Sequence, residues 1–276
     1  MEQCPIGMRV VKSQLAHSLN ALAALAEAGR GARLTDIVAK LDAPKSSVQR
    51  LLQQLAEEGW VEQDPETGYY RLTVRMAVLG QRYLYTSGIV DATQAILQTV
   101  ASKTRELARL TIVDTDRLVW IASAQGAPSG LMYQPADPSR IVSYATANGK
   151  AWLATLPEKD ASRIAQRDGI EARTPPRDVG PNAMRSLAAL KRDLAQVRTR
   201  GYAVANEEGE RGVAAIAVVI LDPDSGKALG TTSVAGPVSR LSKERHAKIA
   251  GELLGAAQQF ARIWPLKSAT QKSNAG

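Results

Sequence analysis

The sequence predicts two units of different class, a mainly α winged helix-turn-helix followed by an α+β domain. Three observations carry this reading. Three short amphipathic stretches between residues 14 and 58 lead into two short strand-like segments around a turn. The remainder alternates helical stretches with apolar runs of strand length. With 276 residues and 45% apolar content, the chain exceeds one average domain and can fill more than one core.

From Gln14 to Ala28, the apolar residues Leu15, Leu19, Leu22 and Ala26 recur at helical spacing, and Gly29-Arg30-Gly31 ends the segment. A second, short helix is expected from Thr35, read as its N-cap, with Ile37, Val38 and Leu41 inward. After the turn Asp42-Ala43-Pro44, a third helix runs to Glu58 with an apolar stripe of Val48, Leu51, Leu52 and Leu55. Gly59 closes it. Trp60-Val61-Glu62 and Tyr69-Tyr70-Arg71-Leu72 then read as strands flanking the turn-forming Asp64-Pro65-Glu66-Thr67-Gly68.

Residues 73 to 87 form a further helical stretch with Met76, Ala77, Gly80, Tyr83 and Leu84 on one side. Gly80 costs such a helix about 1 kcal/mol relative to alanine, so close packing on a neighbour is expected there. The second domain is expected to place helices at 90 to 107, 148 to 155, 160 to 167, 183 to 200 and 242 to 263. Its strands fall at 109 to 114, 117 to 124, 202 to 206, 213 to 221 and 228 to 235, a sheet with helices on one side. The boundaries are thus a tail at 1–10, the winged helix-turn-helix at 11–72, a linker helix at 73–88, the α+β domain at 89–264 and a disordered tail at 265–276.

Formal net charge is +8, which suits a polyanionic partner, yet residues 1–75 carry nine basic and nine acidic side chains. The excess lies in the later part, so pattern rather than bulk charge must argue for nucleic acid. Cys4 is the only cysteine, which excludes internal disulfides and cysteine-rich metal sites. No apolar run approaches the roughly 18 residues of a membrane span, and no signal-type segment opens the chain. A cytoplasmic protein without membrane contact is expected.

A helix-turn-helix buries one stripe of its third helix and offers the other face to the major groove. Here that face carries Lys45, Ser46, Gln49, Arg50 and Gln53, with Ser47 at the phosphate-facing edge. Arg suits guanine O6/N7 and Gln suits adenine N6/N7, while Ser and Lys suit phosphates or bases. Arg71 at the wing base touches phosphate or simply solvates a strand. For catalysis the chain offers little. His17 and His246 stand without a nucleophile or metal-ligand spacing, no nucleotide-binding glycine fingerprint is present, and Ser225-Gly226-Lys227 reads as a turn. Neither catalytic residues, a metal site nor a cofactor is expected.

Two blocks carry a resemblance to a known family. Ala43-Pro44-Lys45-Ser46-Ser47-Val48-Gln49-Arg50-Leu51-Leu52, then Gly59, then Gly68-Tyr69-Tyr70-Arg71-Leu72, resembles the DNA-binding half of IclR-family transcription regulators. Ala145-Thr146-Ala147-Asn148-Gly149-Lys150-Ala151, Gly201-Tyr202-Ala203, Glu207-Glu208, Gly212, Ala215-Ile216-Ala217 and Ser233-Val234-Ala235-Gly236-Pro237 resemble the effector half. The match spans about residues 11 to 263, in order.

The resemblance implies a GAF-like effector domain whose pocket lies between the sheet and nearby loops. It assigns Ala147, Asn148 and Gly149 to a loop at one end, Val213, Ala215 and Ser233 to the sheet, and Ala205 and Ala235 nearby. Family members commonly place an acid at position 205, a cysteine or small polar residue at 215 and often a serine at 235; all three are alanine here. That disfavours a small, highly polar effector such as glyoxylate and favours an aromatic or otherwise partly apolar acid or related catabolite, with Met132, Tyr133 and Trp152 as candidate walls. The implied partners are double-stranded operator DNA, a small organic effector of catabolic origin and further copies of the chain, as homodimer or homotetramer. The runner-up is a DNA-binding regulator whose C-terminal domain only oligomerises.

Overall fold

The computed structural model describes residues 13–128, 132–135, 141–173, 176 and 179–264; the two expected tails lie outside the described residues. Contacts divide the chain into two units, one up to Thr86 and one from Ser87.

The first unit begins with helices α1 (Gln14–Ala28), α2 (Leu34–Leu41) and α3 (Lys45–Glu57). Strands β1 (Val61–Gln63) and β2 (Tyr70–Leu72) pair antiparallel, and α4 (Val74–Ser87) follows. Val48, Leu51 and Leu52 of α3 pack with Ile37 and Leu41 of α2, Ala21 and Leu25 of α1, and Val61 and Tyr70 of the wing. Leu55 closes the stripe half-buried.

Three details differ from expectation. Arg33, not Thr35, is the N-cap of α2, and its backbone N–H donates to the Asp36 carboxylate at 3.2 Å. The Asp36 carboxylate thus satisfies the amide of the N-cap itself, and its negative charge in the first turn suits the helix N-terminus. In α1 the buried residues are Ala21, Ala24 and Leu25, whereas Leu15 and Leu19 are exposed. Alanine permits closer approach of neighbouring helices than leucine, so the alanine face took the core. In α4, Gly80 has no neighbouring atom where a Cβ would stand, and Val74, Val78, Leu79, Tyr83 and Tyr85 are exposed. The expected packing at Gly80 has no counterpart among the described residues, and the side chain of Leu84 lies outside them.

The second unit contains α5 (Ile89–Thr104), β3 (Leu107–Asp114), β4 (Arg117–Gln125), α6 (Ala147–Leu153), α7 (Glu158–Arg167) and α8 (Leu187–Arg200). Strands β5 (Ala203–Asn206), β6 (Val213–Leu221) and β7 (Ala228–Pro237) follow, then α9 (Lys243–Ile263). The antiparallel sheet runs β4-β3-β7-β6-β5.

Helices cover both faces of this sheet rather than one. Ala214, Ile216, Val218 and Ile220 of β6 pack with Leu97 and Ala101 of α5 and Leu253 and Phe260 of α9. Ala217 and Ala215 turn the other way, toward Ala151 and Leu153 of α6 and Leu190 and Leu194 of α8. A nine-residue run from Val213 to Leu221 without a polar residue is what a strand buried on both faces requires.

The start of β3 is fixed by an ion pair. Glu106, 1% exposed, accepts from Arg240 at 2.6 and 2.8 Å, and the Gly236 backbone lies against its carboxylate.

Helix α6 is short and wholly buried. Thr146 caps it, its Oγ1 accepting from the Gly149 N–H at 3.1 Å. Ala147, Asn148 and Gly149 therefore form the first helical turn rather than a loop. A Cβ at Gly149 would stand 2.1 Å from the carbonyl oxygen of Ser143, so only glycine lets the preceding turn pack so closely. Replacing Gly149 with alanine should destabilise the second unit by about 2 kcal/mol or more, measurable as a lower denaturation midpoint.

Candidate functional site

In the first unit, the surface of α3 left free by its buried stripe carries Lys45, Ser46, Ser47, Gln49, Arg50 and Gln53, all exposed. Lys45 and Arg50 have no ion-pair partner among the described residues, and Ser46, Ser47 and Gln49 spend no side-chain hydrogen bond there. Gln53 donates to Glu57 at 3.2 Å. Donors and acceptors without internal partners are available to base edges and phosphates.

The wing is less suited to a polyanion. Arg71 donates from Nε to Glu62 at 2.7 Å, with Asp64 at 4.0 Å. Asp64 accepts from the backbone N–H groups of Glu66 and Thr67 at 3.0 and 2.9 Å, which hold its carboxyl below the usual range. Arg33 went unnoticed in the sequence: it lies over the Tyr69 ring at 5.4 Å and donates to its hydroxyl at 3.2 Å.

In the second unit a cavity of about 630 Å³ opens between the sheet, the start of α6 and the segments around Val179 and Gly209. Strand register sets its floor. Ala205 pairs with Ala215 and Ala215 with Ala235, so the three alanines form one row across β5, β6 and β7. The neighbouring row on the same face runs Ala203, Ala217, Ser233 and Arg109. Short side chains leave space that larger ones would fill.

Of the residues expected from the sequence, Tyr133, Ala147, Asn148, Ala205, Val213, Ala215, Ser233 and Ala235 line this cavity. Gly149, Met132 and Trp152 do not. Gly149 packs on Ser143, Met132 is exposed, and Trp152 is a core residue 2% exposed among α6 to α8. Asn148 is itself anchored, donating to Thr231 Oγ1 at 2.8 Å, which in turn sits 2.6 Å from Thr111 Oγ1. This buried chain fixes α6 on the sheet.

Sequence reading missed Arg109, Trp120, Arg185, Glu210 and Arg211, which also line the cavity. Arg109 is buried on β3, and its guanidinium stacks 3.3 Å from the centre of the Trp120 ring. A bulge makes this possible. Leu110 faces Ala122 but Thr111 faces Trp120, so Ile121 is skipped and Trp120 turns to the face of Arg109. Burial lowers the Arg109 pKa to about 10, which still leaves it cationic at neutral pH. The signal for it was available, since an arginine inside the apolar run Leu107 to Val113 is out of place on a buried strand.

The rim is held by a second buried charge. Lys150, 0% exposed, donates to both Glu208 oxygens at 2.8 and 2.7 Å and lies 3.1 Å from Asp193. Burial pushes the Glu208 carboxyl up while Lys150 pulls it down. The following residues are pinned from several sides: the Gly212 N–H donates to Glu207 at 2.8 Å, and Tyr133 donates its hydroxyl to Glu210 at 3.0 Å. Burial, with Glu210 beside it, raises the Tyr133 phenol so that it stays protonated.

Comparison with known proteins places these sites in context. The IclR helix-turn-helix domain model matches residues 14–65, and the model for the C-terminal part of bacterial IclR transcriptional regulators matches residues 81–262. The chain is 30% identical over 244 residues to the HTH-type transcriptional regulator BhcR of Paracoccus denitrificans, covering 88% of this chain and 85% of that one. It is 27% identical over 246 residues to the transcriptional repressor IclR of Escherichia coli, covering 89% and 87%. A crystal structure of an IclR-type regulator from Silicibacter sp. TM1040 superimposes with a TM-score of 0.77 at 24% identity, over 91% of this chain and 96% of that one. An IclR homologue from Microbacterium hydrocarbonoxydans, solved with 4-hydroxybenzoate, has a TM-score of 0.66 at 22% identity, over 91% of this chain and 100% of that one.

Removing the cation that holds the rim leaves the partly buried carboxylates of Glu208 and Asp193 without their counter-ion. Lys150→Met should cost about 3 to 5 kcal/mol of stability in denaturant unfolding of the full chain.

Proposed function

Because the chain belongs to the IclR family of bacterial DNA-binding transcription regulators, we propose that it represses its target genes until a partly apolar organic acid fills the cavity of the second unit. The genes are those for breaking down that acid. The cavity itself carries the reading: its floor is a row of three alanines, and arginines stand at its edge. An apolar floor edged by cationic groups suits an organic molecule that has one negatively charged end. The relative from E. coli is named a repressor, and the homologue from M. hydrocarbonoxydans holds an aromatic acid.

Operator recognition falls to Lys45, Ser46, Ser47, Gln49, Arg50 and Gln53 of α3. Arg71 plays a lesser part, since Glu62 already engages it. A single recognition helix reads too few bases for specificity, so the active species is at least a homodimer. The exposed apolar side chains of α1 (Leu15, Leu19) and α4 (Val74, Val78, Leu79, Tyr83, Tyr85) support self-association, because monomers rarely leave so many uncovered. Pairing of dimers through the second units gives a tetramer. Ligand binding can alter operator affinity only by favouring one arrangement of the assembly over another.

Replacing Arg50 with alanine should weaken operator binding by about 1 to 3 kcal/mol with the fold unchanged. Unaltered affinity would remove Arg50 from the reading set. Sedimentation should give a dimer or larger at micromolar concentration; a monomer with and without DNA would contradict the assembly. Ala215→Phe fills the alanine row. It should leave operator binding intact and abolish release by acids, starting with 4-hydroxybenzoate. Should no acid bind the wild-type protein at all, the second unit serves oligomerisation instead.

A further inference from the structure

We infer that Arg109 and Trp120 form the anion-binding end of the cavity, where the carboxylate of the effector lies against the guanidinium and the indole N–H. The inference rests on the proposed ligand cavity and assigns its charged end.

Two independent observations point there. Arg109 is only 9% exposed, yet no carboxylate pairs with it among the described residues, and its guanidinium makes no hydrogen bond to them. Its guanidinium stacks on the Trp120 ring at 3.3 Å. A buried cation without a counter-ion is costly, and the lowered pKa reflects that cost. The second observation is Trp120 Nε1, which is buried and has no acceptor among the described residues. Both residues line the same cavity. Unpaired donors side by side at a cavity wall are completed by an acceptor with negative charge, and a carboxylate fits a guanidinium in bidentate fashion.

The rest of the lining agrees with this orientation. Arg109 sits in the row next to the three alanines, so a carboxylate at Arg109 puts the ligand body over Ala235 and Ala215 on the adjoining strands. Adjacent strands lie about 4.8 Å apart, which makes the span from β3 over β7 to β6 about the length of a one-ring acid. Arg185 and Arg211 add positive charge at the mouth, against which Glu210 is tied to Tyr133. The start of α6 is a poorer candidate, because the Gly149 N–H is already capped by Thr146.

The test pairs each carboxylate with its neutral carboxamide, benzoate with benzamide and cyclohexanecarboxylate with its amide, in calorimetric titrations of the full-length protein. The wild type should bind at least one acid about 10- to 100-fold more tightly than its amide. Arg109→Met should abolish that preference while raising the melting temperature of the unliganded protein, since an uncompensated buried charge is replaced by an apolar side chain that still packs on Trp120. Arg109→Lys should keep a reduced preference, and Trp120→Phe should weaken acid binding with the fold intact. Equal binding of acids and amides by the wild type, or an undiminished preference in Arg109→Met, would overturn the inference and leave the cavity reading standing. A fall in the melting temperature of unliganded Arg109→Met, or its failure to fold, would mark Arg109 as structural and overturn it too. Absence of binding by either class would sink the cavity reading together with this one.

Discussion

The second unit depends on one buried cation. Lys150 reaches from α6 to Glu208 in the β5–β6 connection and to Asp193 on α8, joining three pieces that come from distant parts of the chain. With no exposed surface, its ammonium must be compensated internally, so these pieces take up one mutual arrangement. That arrangement sets the cavity rim. Glu208 is followed directly by Gly209, Glu210 and Arg211, and its carbonyl accepts from the Gly180 N–H at 2.7 Å, which brings in the segment carrying Val179 and Pro181.

The sheet beneath this rim has two unlike faces. Toward α5 and α9 it presents Leu110, Ile216, Val218, Ile220 and Val234, a filled core. Toward α6 the same strands present alanines, Ser233, two hydrogen-bonded threonines and Arg109. The first face supplies rigidity, and the second leaves volume and functional groups free for a ligand. A cavity of this kind persists because the opposite face is packed well enough to stabilise the sheet without it.

The first unit divides its surface similarly. One stripe of α3 joins Ile37, Leu41 and Val61 in the core, and the other side keeps its polar groups without internal partners. The wing holds its one outward arginine in an ion pair with Glu62. Thr73 and Arg75 tie the start of α4 back to the end of α3, through Thr73 Oγ1 to the Gly59 carbonyl at 2.7 Å and through Arg75 to Glu58. Gly59, at a φ of +73°, supplies the left-handed turn between them.

Much of this was legible in the sequence because it is local. The 3.6-residue spacing of Val48, Leu51, Leu52 and Leu55 fixes which side of α3 is buried, and with it the side that remains for DNA. Asp64 and Gly68 specify the wing turn, and the apolar run from Val213 to Leu221 specifies a strand. What the spacing left open was which partner each face meets. Leu15 and Leu19 look like core residues until the alanines of α1 are seen against α2 and α3. Gly149 looks like a ligand loop until the Ser143 carbonyl is found where its Cβ would be. Reading a strand from residue 109 put Arg109 at its end, whereas β3 begins at Leu107 and makes it an interior residue. Its stacking on Trp120 depends on a bulge in the β3–β4 hairpin, and its burial on the distant strand β7 beside it. The sequence by itself determined the elements, their order and the face of α3 that stays free, since these follow from periodicity and turn chemistry. Only the tertiary structure decided that Lys150 is buried and paired, and that Arg109 is buried, without a counter-ion among the described residues and facing a cavity, because burial and partnership are properties of what distant segments bring to the same place.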